Sequence, residues 1–452
     1  MKPLKIGITG VRGIVGETLT PELIVQFAQA FGTYLDGGKV LVCRDTRASG
    51  AMVRAGVMAG LLSTGCEVVD LDIVPTPTMQ LAVTHFGAQG GISITAGHNP
   101  AEWNALKFVR GDGLYLNATQ AEELLDLFHQ AEFAKARWDS IATRVERLDK
   151  NNDAIAHHLE VLQRSFDVAA IRQRKLIVAV DCCNGACVTL SPLWLAALGC
   201  EVLALNDDPR APFPHAPEPR YDTMAQLRAV VKAGRADIGL AHDADGERLG
   251  LVTETGEILS EEMTLTLATA IRLQTRPGTV VTNVSTTQAI DVLAQAHSSQ
   301  VVRTPVGTAY IAEAMLEHAA TLGGEGNGAV AVPEVQPTHD SAATIGLLLE
   351  HLARSGQTVS QLVAQLPRFT MRKRYVPVAP NLLFSVLHDF RKYAETTDAD
   401  ALDTSDGLKL QWANRWLHVR ASNTESMIRV IAEAEDAGQV DALIDWALDG
   451  LR

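Results

Sequence analysis

KLIVAVDCCNG (residues 175–185), VTLSPLWLAALG (188–199) and CEVLAL (200–205) follow one another in the middle of this 452-residue chain. The first is a continuous β-branched run closed by turn formers, which reads as a buried strand. The second has the length and composition of a helix, and the third is again strand-like. A strand, a helix and a second apolar strand in that order argue for a mostly parallel sheet covered on both faces. Working outward, the pattern restarts near residue 279, where TVVTNV precedes TTQAIDVLAQA. It also precedes residue 175. Thr20 is a plausible N-cap and Pro21 suits the first helical position. Leu23, Ile24, Phe27, Phe31, Tyr34 and Leu35 then recur at helical spacing. The run Lys39 to Cys43, the helix-like MVRAGVMAGLLSTG, and the strand-like EVVDLDIV and GISIT follow. The last 80 or so residues differ: YVPVAP, LLFSVLHDFRKYAE, LKLQWA, WLHVRAS and MIRVIAEA suggest a small α+β unit ending in a helix.

The expectation is therefore three successive mixed or parallel α/β domains and a C-terminal α+β domain around a central cleft. Boundaries are expected near 150, 255 and 368, giving spans 1–150, 151–255, 256–367 and 368–452. A chain of this length exceeds one ordinary core.

Hydrophobic residues make up 47% and charged residues 20%, which describes a globular protein rather than a disordered one. The formal charge of −14 argues against a nucleic-acid partner, whose phosphates need a basic surface. It does not argue against a small phosphorylated ligand, because a few local cations can dominate one cleft. No apolar run reaches the roughly 20 residues that span a bilayer, so no membrane partner is expected. MKPLKIGITG lacks the apolar stretch of a signal peptide, making a cytoplasmic location the default expectation. Cys182, Cys183 and Cys187 abut an apolar run without paired C-x-x-C spacing, and read as buried thiols rather than a zinc site. No heptad or unusual apolar stripe stands out. Oligomeric state is left open, a homodimer among the options.

Four short segments carry chemistry. Ile94-Thr95-Ala96-Gly97-His98-Asn99-Pro100 follows a strand and is rich in turn formers, with Asn104 and Lys107 just beyond. Ser93 and Thr95 put two hydroxyls on one face of that strand. In His242-Asp243-Ala244-Asp245-Gly246-Glu247-Arg248, alternate acidic residues can point three carboxylates at one place, which suits Mg²⁺. Taken alone, such a run is more often a solvated acidic turn. Gly323-Gly324-Glu325-Gly326-Asn327-Gly328 allows close backbone approach to a ligand, and Glu325 and Asn327 can bond vicinal hydroxyls. Arg420-Ala421-Ser422-Asn423-Thr424-Glu425-Ser426, with Arg429 beyond, combines planar guanidinium forks with hydroxyl, amide and backbone donors suited to phosphate.

These four segments, in this order, resemble the motifs of the α-D-phosphohexomutase superfamily: T-A-S-H-N-P, D-x-D-x-D-R, G-E-x-S-G-H and R-x-S-[GN]-T-E-P. Weaker likenesses accompany them: residues 7–13, including Arg12, are similar to the family's F-G-T-S-G-x-R-G. Arg303-Thr304-Pro305-Val306-Gly307 is similar to R-T-x-V-G, and Phe213-Pro214-His215 to F-P-x-H. The resemblance implies intramolecular phosphoryl transfer between C1 and C6 of a hexose or hexosamine phosphate through its bisphosphate. It also implies Mg²⁺ on Asp243, Asp245 and Glu247. Arg12, His98 and Lys107 would lie near the reacting oxygen, Arg248 would contact phosphate, and Glu325 and Asn327 the sugar. Arg420, Ser422, Asn423, Thr424 and Arg429 would hold the distal phosphate.

The sequence departs from the pattern at four points. Gly97 occupies the place of the serine that carries phosphate in the family, and glycine has no oxygen to phosphorylate. Glu247 is one methylene longer than the usual Asp, Ala329 stands where the loop histidine would be, and Ser426 replaces proline. Four explanations follow from Gly97: a mutase whose serine was replaced by glycine by design; another acceptor such as His98, Thr95 or Ser93; Mg²⁺-dependent phosphosugar hydrolysis or transfer without a phosphoserine; or a pseudoenzyme that binds sugar phosphates without turnover.

Overall fold

The computed structural model describes residues 4–139, 141, 145–147, 153–422 and 427–451. Four sheets follow one another along the chain. The first has seven strands in the spatial order Lys5–Gly7, Gly10–Ile14, Trp103–Arg110, Gly90–Ile94, Gly38–Arg44, Cys66–Ile73 and Val145–Arg147. Its helix Pro21–Tyr34 starts as the sequence predicts: the Thr20 hydroxyl oxygen accepts from the Leu23 amide at 3.4 Å. Ile24, Phe27 and Phe31 form its buried face. The neighbouring helix, Gly50–Ser63, can lie close against it because a Cβ on Gly60 would meet Val25 O at 2.7 Å and Ala28 Cβ at 2.6 Å.

The second sheet contains the expected parallel strands Ile177–Asp181 and Glu201–Leu205, with Ile238–His242 parallel and Leu249–Thr253 antiparallel. The helix expected over 188–199 is shorter. A 3₁₀ turn at Ala186–Val188 precedes an α-helix over Leu190–Ala197. Pro192 falls in that helix's first turn, where a missing N–H breaks no helical bond. The third sheet orders Gln300–Thr304, Thr279–Asn283, Leu322–Glu325 and Ala329–Ala331. The fourth is wholly antiparallel: Thr370–Pro377, Met427–Ala434, Arg415–Ala421, Leu408–Trp412 and Ala401–Asp403. Helices Leu383–Ala394 and Ala437–Gly450 accompany it.

The largest apolar cluster runs through the first three units, joining Met79 and Val83 to Trp194 and Leu240 and on to Leu265 and Leu348. The fourth has its own core around Phe390, Val430 and Ile444. The cysteines are free thiols, five of them buried, in keeping with their apolar surroundings. No described helix is long and apolar enough to cross a membrane.

His215, in the Phe-Pro-His segment, is tied to the end of strand Ile177–Asp181 by its Nε2, 3.1 Å from Asp181 Oδ2. Burial alone would lower its pKa, but the hydrogen bond the ring donates to Asp181 leads the partners that raise it to about 10. A raised folded-state pKa means the pair's contribution is complete below the unfolded value, about 6.5, and declines as pH rises towards about 10. The thermal midpoint should fall more steeply over that window in the parent than in His215→Gln, and parallel curves would refute the assignment.

Candidate active site

Strand ends build the site. The 95–100 turn follows strand Gly90–Ile94, the acidic turn follows Ile238–His242, and Glu325 ends Leu322–Glu325. In open α/β sheets ligands gather at such ends, because the loops there converge on one crevice. Backbone bonds lock the loops together: the Thr76 amide donates to Asp245 O at 2.9 Å, and the Leu249 amide to Gly328 O at 2.9 Å. The result is one cavity of about 610 Å³ bounded by all four units.

Arg12, Gly97, His98 and Lys107 face the cavity from the first unit, and Asp243, Glu247 and Arg248 from the second. Glu325 and Asn327 come from the third, and Arg420 and Arg429 from the fourth. Asp245 lies just behind, 1% exposed, in reach of Lys107. Ser422 is buried beside Arg420, but is not part of the cavity wall. Asn423 and Thr424 lie outside the described residues.

Gly97 has φ +54°, and a Cβ there would sit 3.4 Å from both carboxylate oxygens of Asp245. Any side chain at position 97 would therefore be aimed at the acidic turn. The turn itself is stapled by Arg47, whose side chain is fully buried. Its guanidinium donates to Gly97 O (2.6 Å), Asn99 O (2.7 Å), Pro100 O (2.5 Å) and Trp103 O (3.1 Å), while Nε bonds Asp45 at 2.9 Å. The two hydroxyls of the preceding strand are already engaged. Thr95 Oγ1 donates to Asp45 at 2.6 Å, and Ser93 shares hydrogen bonds with Thr76 and Cys43.

Lys107 Nζ lies 2.6 Å from Asp245 Oδ2 and 3.0 Å from Glu247 Oε2. Tyr115 OH donates to the other oxygen of Glu247. Burial opposes ionisation of Asp245, yet Lys107 outweighs it and holds this carboxyl below the usual range. Asp243 goes the other way: burial, then the adjacent Asp245 charge, pushes it well above that range. One oxygen of Asp245 is buried without a hydrogen-bond partner among the described residues. Two adjacent buried carboxyl groups, one of them with a spare oxygen, are the donor type a hard cation takes. Among the described residues, however, no three His, Cys, Asp or Glu side chains converge as a ready-made cluster, and Lys107 pairs with two of the three carboxylates.

Arg248 donates to Glu218 at 2.9 Å and approaches His98 Nε2 at 3.4 Å. Burial, then Arg248, Arg12 and Lys107, keeps the His98 ring neutral with a pKa far below its ordinary value. Glu325 Oε1 accepts from Asn283 Nδ2 at 2.7 Å and the Gly307 amide at 3.2 Å. Asn327 Nδ2 reaches the other Glu325 oxygen at 3.4 Å. Arg420, 3% exposed, bonds Asp406 at 3.0 Å through Nε; one terminal nitrogen has no partner among the described residues. Arg429 lies over the Tyr375 ring.

Sequence reasoning missed Arg47, Tyr115, Glu218 and Asp406. Each sits outside the four motifs and joins the site only across the fold.

Four family models match in order: phosphoglucomutase/phosphomannomutase α/β/α domain I over residues 3–135, domain II over 156–256, domain III over 260–369 and the C-terminal domain over 376–448. A Thermococcus kodakarensis protein named phosphoglucomutase/phosphomannomutase is 37% identical, covering 95% of this chain and 94% of that one. A Methanopyrus kandleri protein named probable phosphoglucosamine mutase is 35% identical over 99% and 97%. Among solved structures, a Burkholderia thailandensis phosphoglucomutase/phosphomannomutase family protein superposes with a TM-score of 0.85 at 26% identity, covering 99% of this chain and 96% of that one. With all four domains matched in sequence order and relatives similar from end to end, this chain belongs to the phosphoglucomutase/phosphomannomutase family of the α-D-phosphohexomutase superfamily.

Proposed function

We propose that this chain binds a hexose or hexosamine phosphate across the central cavity and moves its phosphoryl group between C1 and C6 by way of the bisphosphate. The observation that carries this reading is the one cavity shared by four units, lined by Arg12, Lys107 and Arg248, by Glu325 and Asn327, and by Arg420 and Arg429. Arg420 and Arg429 would hold the phosphate that is not reacting, and Glu325 and Asn327 the ring hydroxyls. Arg12, Lys107 and Arg248 would face the reacting phosphate. Asp243, Asp245 and Glu247 would hold Mg²⁺, which would neutralise charge on the phosphoryl oxygens.

Gly97 supplies no oxygen, so a second reading stands beside the first: binding without turnover. If transfer does occur, His98 is the candidate nucleophile once its Nε2 is released from the Arg248 guanidinium 3.4 Å away, since Thr95 and Ser93 are committed to buried partners.

The test is incubation with glucose 1-phosphate, mannose 1-phosphate or glucosamine 1-phosphate, Mg²⁺ and a trace of bisphosphate, following isomer formation and free phosphate. Isomerisation lost in His98→Ala identifies the acceptor. Phosphate release alone marks hydrolysis, and binding with neither product marks the second reading. Gly97→Ser should raise isomerisation if only the acceptor oxygen is wanting.

Arg420→Ala should weaken hexose phosphate binding by about 10- to 150-fold, the equivalent of one charge-assisted contact of about 1.5–3 kcal/mol. Calorimetric affinity equal to the parent's would remove Arg420 from the phosphate site.

A further inference from the structure

We infer that His339 is a specificity-determining contact to a ring hydroxyl of the bound sugar; this rests on the phosphosugar reading above. His339 is 2% exposed and borders the same cavity as Glu325, Ala329 and Lys107. Its Nδ1 lies 3.4 Å from Thr308 Oγ1, and its Nε2 has no hydrogen-bond partner among the described residues. A buried ring nitrogen without a partner is costly, and a ligand group is the natural complement where the ring borders a binding cavity.

The chemistry of the surroundings selects the group. Glu325 and Glu247 are the acidic neighbours that favour a proton on this ring, whereas Arg248 and Lys107 oppose it. A phosphate placed against His339 would meet the Glu325 carboxylate. A neutral hydroxyl would not, and it can donate or accept to match either tautomer of an imidazole that burial keeps neutral. Ala329 ends in a methyl group and offers nothing in its place.

The ring is also held in position. The next residue, Asp340, caps helix Ser341–Ser355 by accepting from the amides of Ala342 and Ala343. The same side chain bonds His158 Nε2 and Gln336 Nε2, each at 3.0 Å, and the Asp340 amide donates to Val330 O at 2.9 Å. The backbone on both sides of the cavity wall is thereby pinned, and the His339 side chain points from a rigid base.

The experiment measures binding alone, so it does not depend on turnover. Affinities of glucose 1-phosphate and its 2-, 3- and 4-deoxy analogues are determined by calorimetry for the parent, His339→Phe and His339→Gln. In the parent, one deoxy analogue should bind about 5- to 10-fold more weakly than glucose 1-phosphate, the worth of one neutral hydrogen bond. His339→Phe, which keeps the ring volume, should abolish that difference, and His339→Gln, which keeps a polar terminus, should restore part of it. If the parent binds no hexose phosphate, the phosphosugar reading itself fails. If the parent binds and His339→Phe shows the same analogue pattern, the inference about His339 is overturned. A His339→Phe protein that does not fold leaves the decision to His339→Gln against His339→Leu, judged by the same pattern.

Discussion

Replacing Lys107 by Met should cost about 3–5 kcal/mol of folding stability when measured with a chelator present. The Lys107 ammonium is the counter-charge for Asp245 and Glu247, whose side chains are 1% and 13% exposed. Methionine preserves the stem's volume and removes the charge, so the loss reports electrostatics rather than a cavity. Three acidic groups would then share one turn, with Asp243 already pushed up by burial and by Asp245. Two dependences sharpen the prediction. The deficit should shrink as pH falls, because without Lys107 the folded-state carboxyl pKa values rise above the unfolded values and protonation relieves the penalty. Added Mg²⁺ should recover part of it, if the carboxylates hold the ion as proposed. Urea denaturation of parent and variant, with and without Mg²⁺, supplies all four numbers, and a loss below about 1 kcal/mol would remove Lys107 as the balancing charge.

Arg47→Met should be comparably severe, about 3–5 kcal/mol, for a different reason. Asp45 is fully buried, and burial already pushes its carboxyl up despite the guanidinium beside it. Without Arg47 that carboxyl keeps the Thr95 hydroxyl and one backbone amide but no counter-charge. Four carbonyl oxygens between Gly97 and Trp103 also lose their donor. Arg47→Lys should rescue little, since one ammonium cannot reproduce a planar fork with donors spread over several carbonyls. A local readout separates this from general destabilisation: amide exchange should accelerate first over residues 96–103. Unchanged exchange there, with reduced global stability, would mean that Arg47 serves the core and not the turn.

The four motifs were legible because each is a short segment at a strand end, where spacing along the chain largely dictates spacing in space. Asp243, Asp245 and Glu247 are an example: one tight turn after strand Ile238–His242 carries all three, closed by the Glu247 amide donating to Asp243 at 3.0 Å. Their state of charge was not legible. Lys107 reads in sequence as a donor beside a reacting oxygen, yet in the fold it pairs with Asp245 and Glu247, 138 and 140 residues away. Arg248 reads as a phosphate contact, but its guanidinium is occupied by Glu218 and His98. Arg47, Tyr115 and Asp406 carry no local signature, because their partners arrive from distant segments. The hydroxyls of Ser93 and Thr95 show the converse. Strand alternation correctly places them on one face, and only packing reveals that the face is buried and both groups are spent.

The amino-acid sequence by itself determined the succession of three α/β units and an α+β unit, the turns at their strand ends and the chemical types those turns present. It did so because hydrophobic periodicity and turn chemistry act over a few residues. The tertiary structure decided which of those groups meet, which are neutralised and which remain open to a ligand. Lys107 among the carboxylates, Arg47 behind Gly97 and His339 beside Glu325 are all products of that level. Charge compensation and burial depend on distances between segments far apart in the chain, and those distances exist only once the four units have closed around their common cavity.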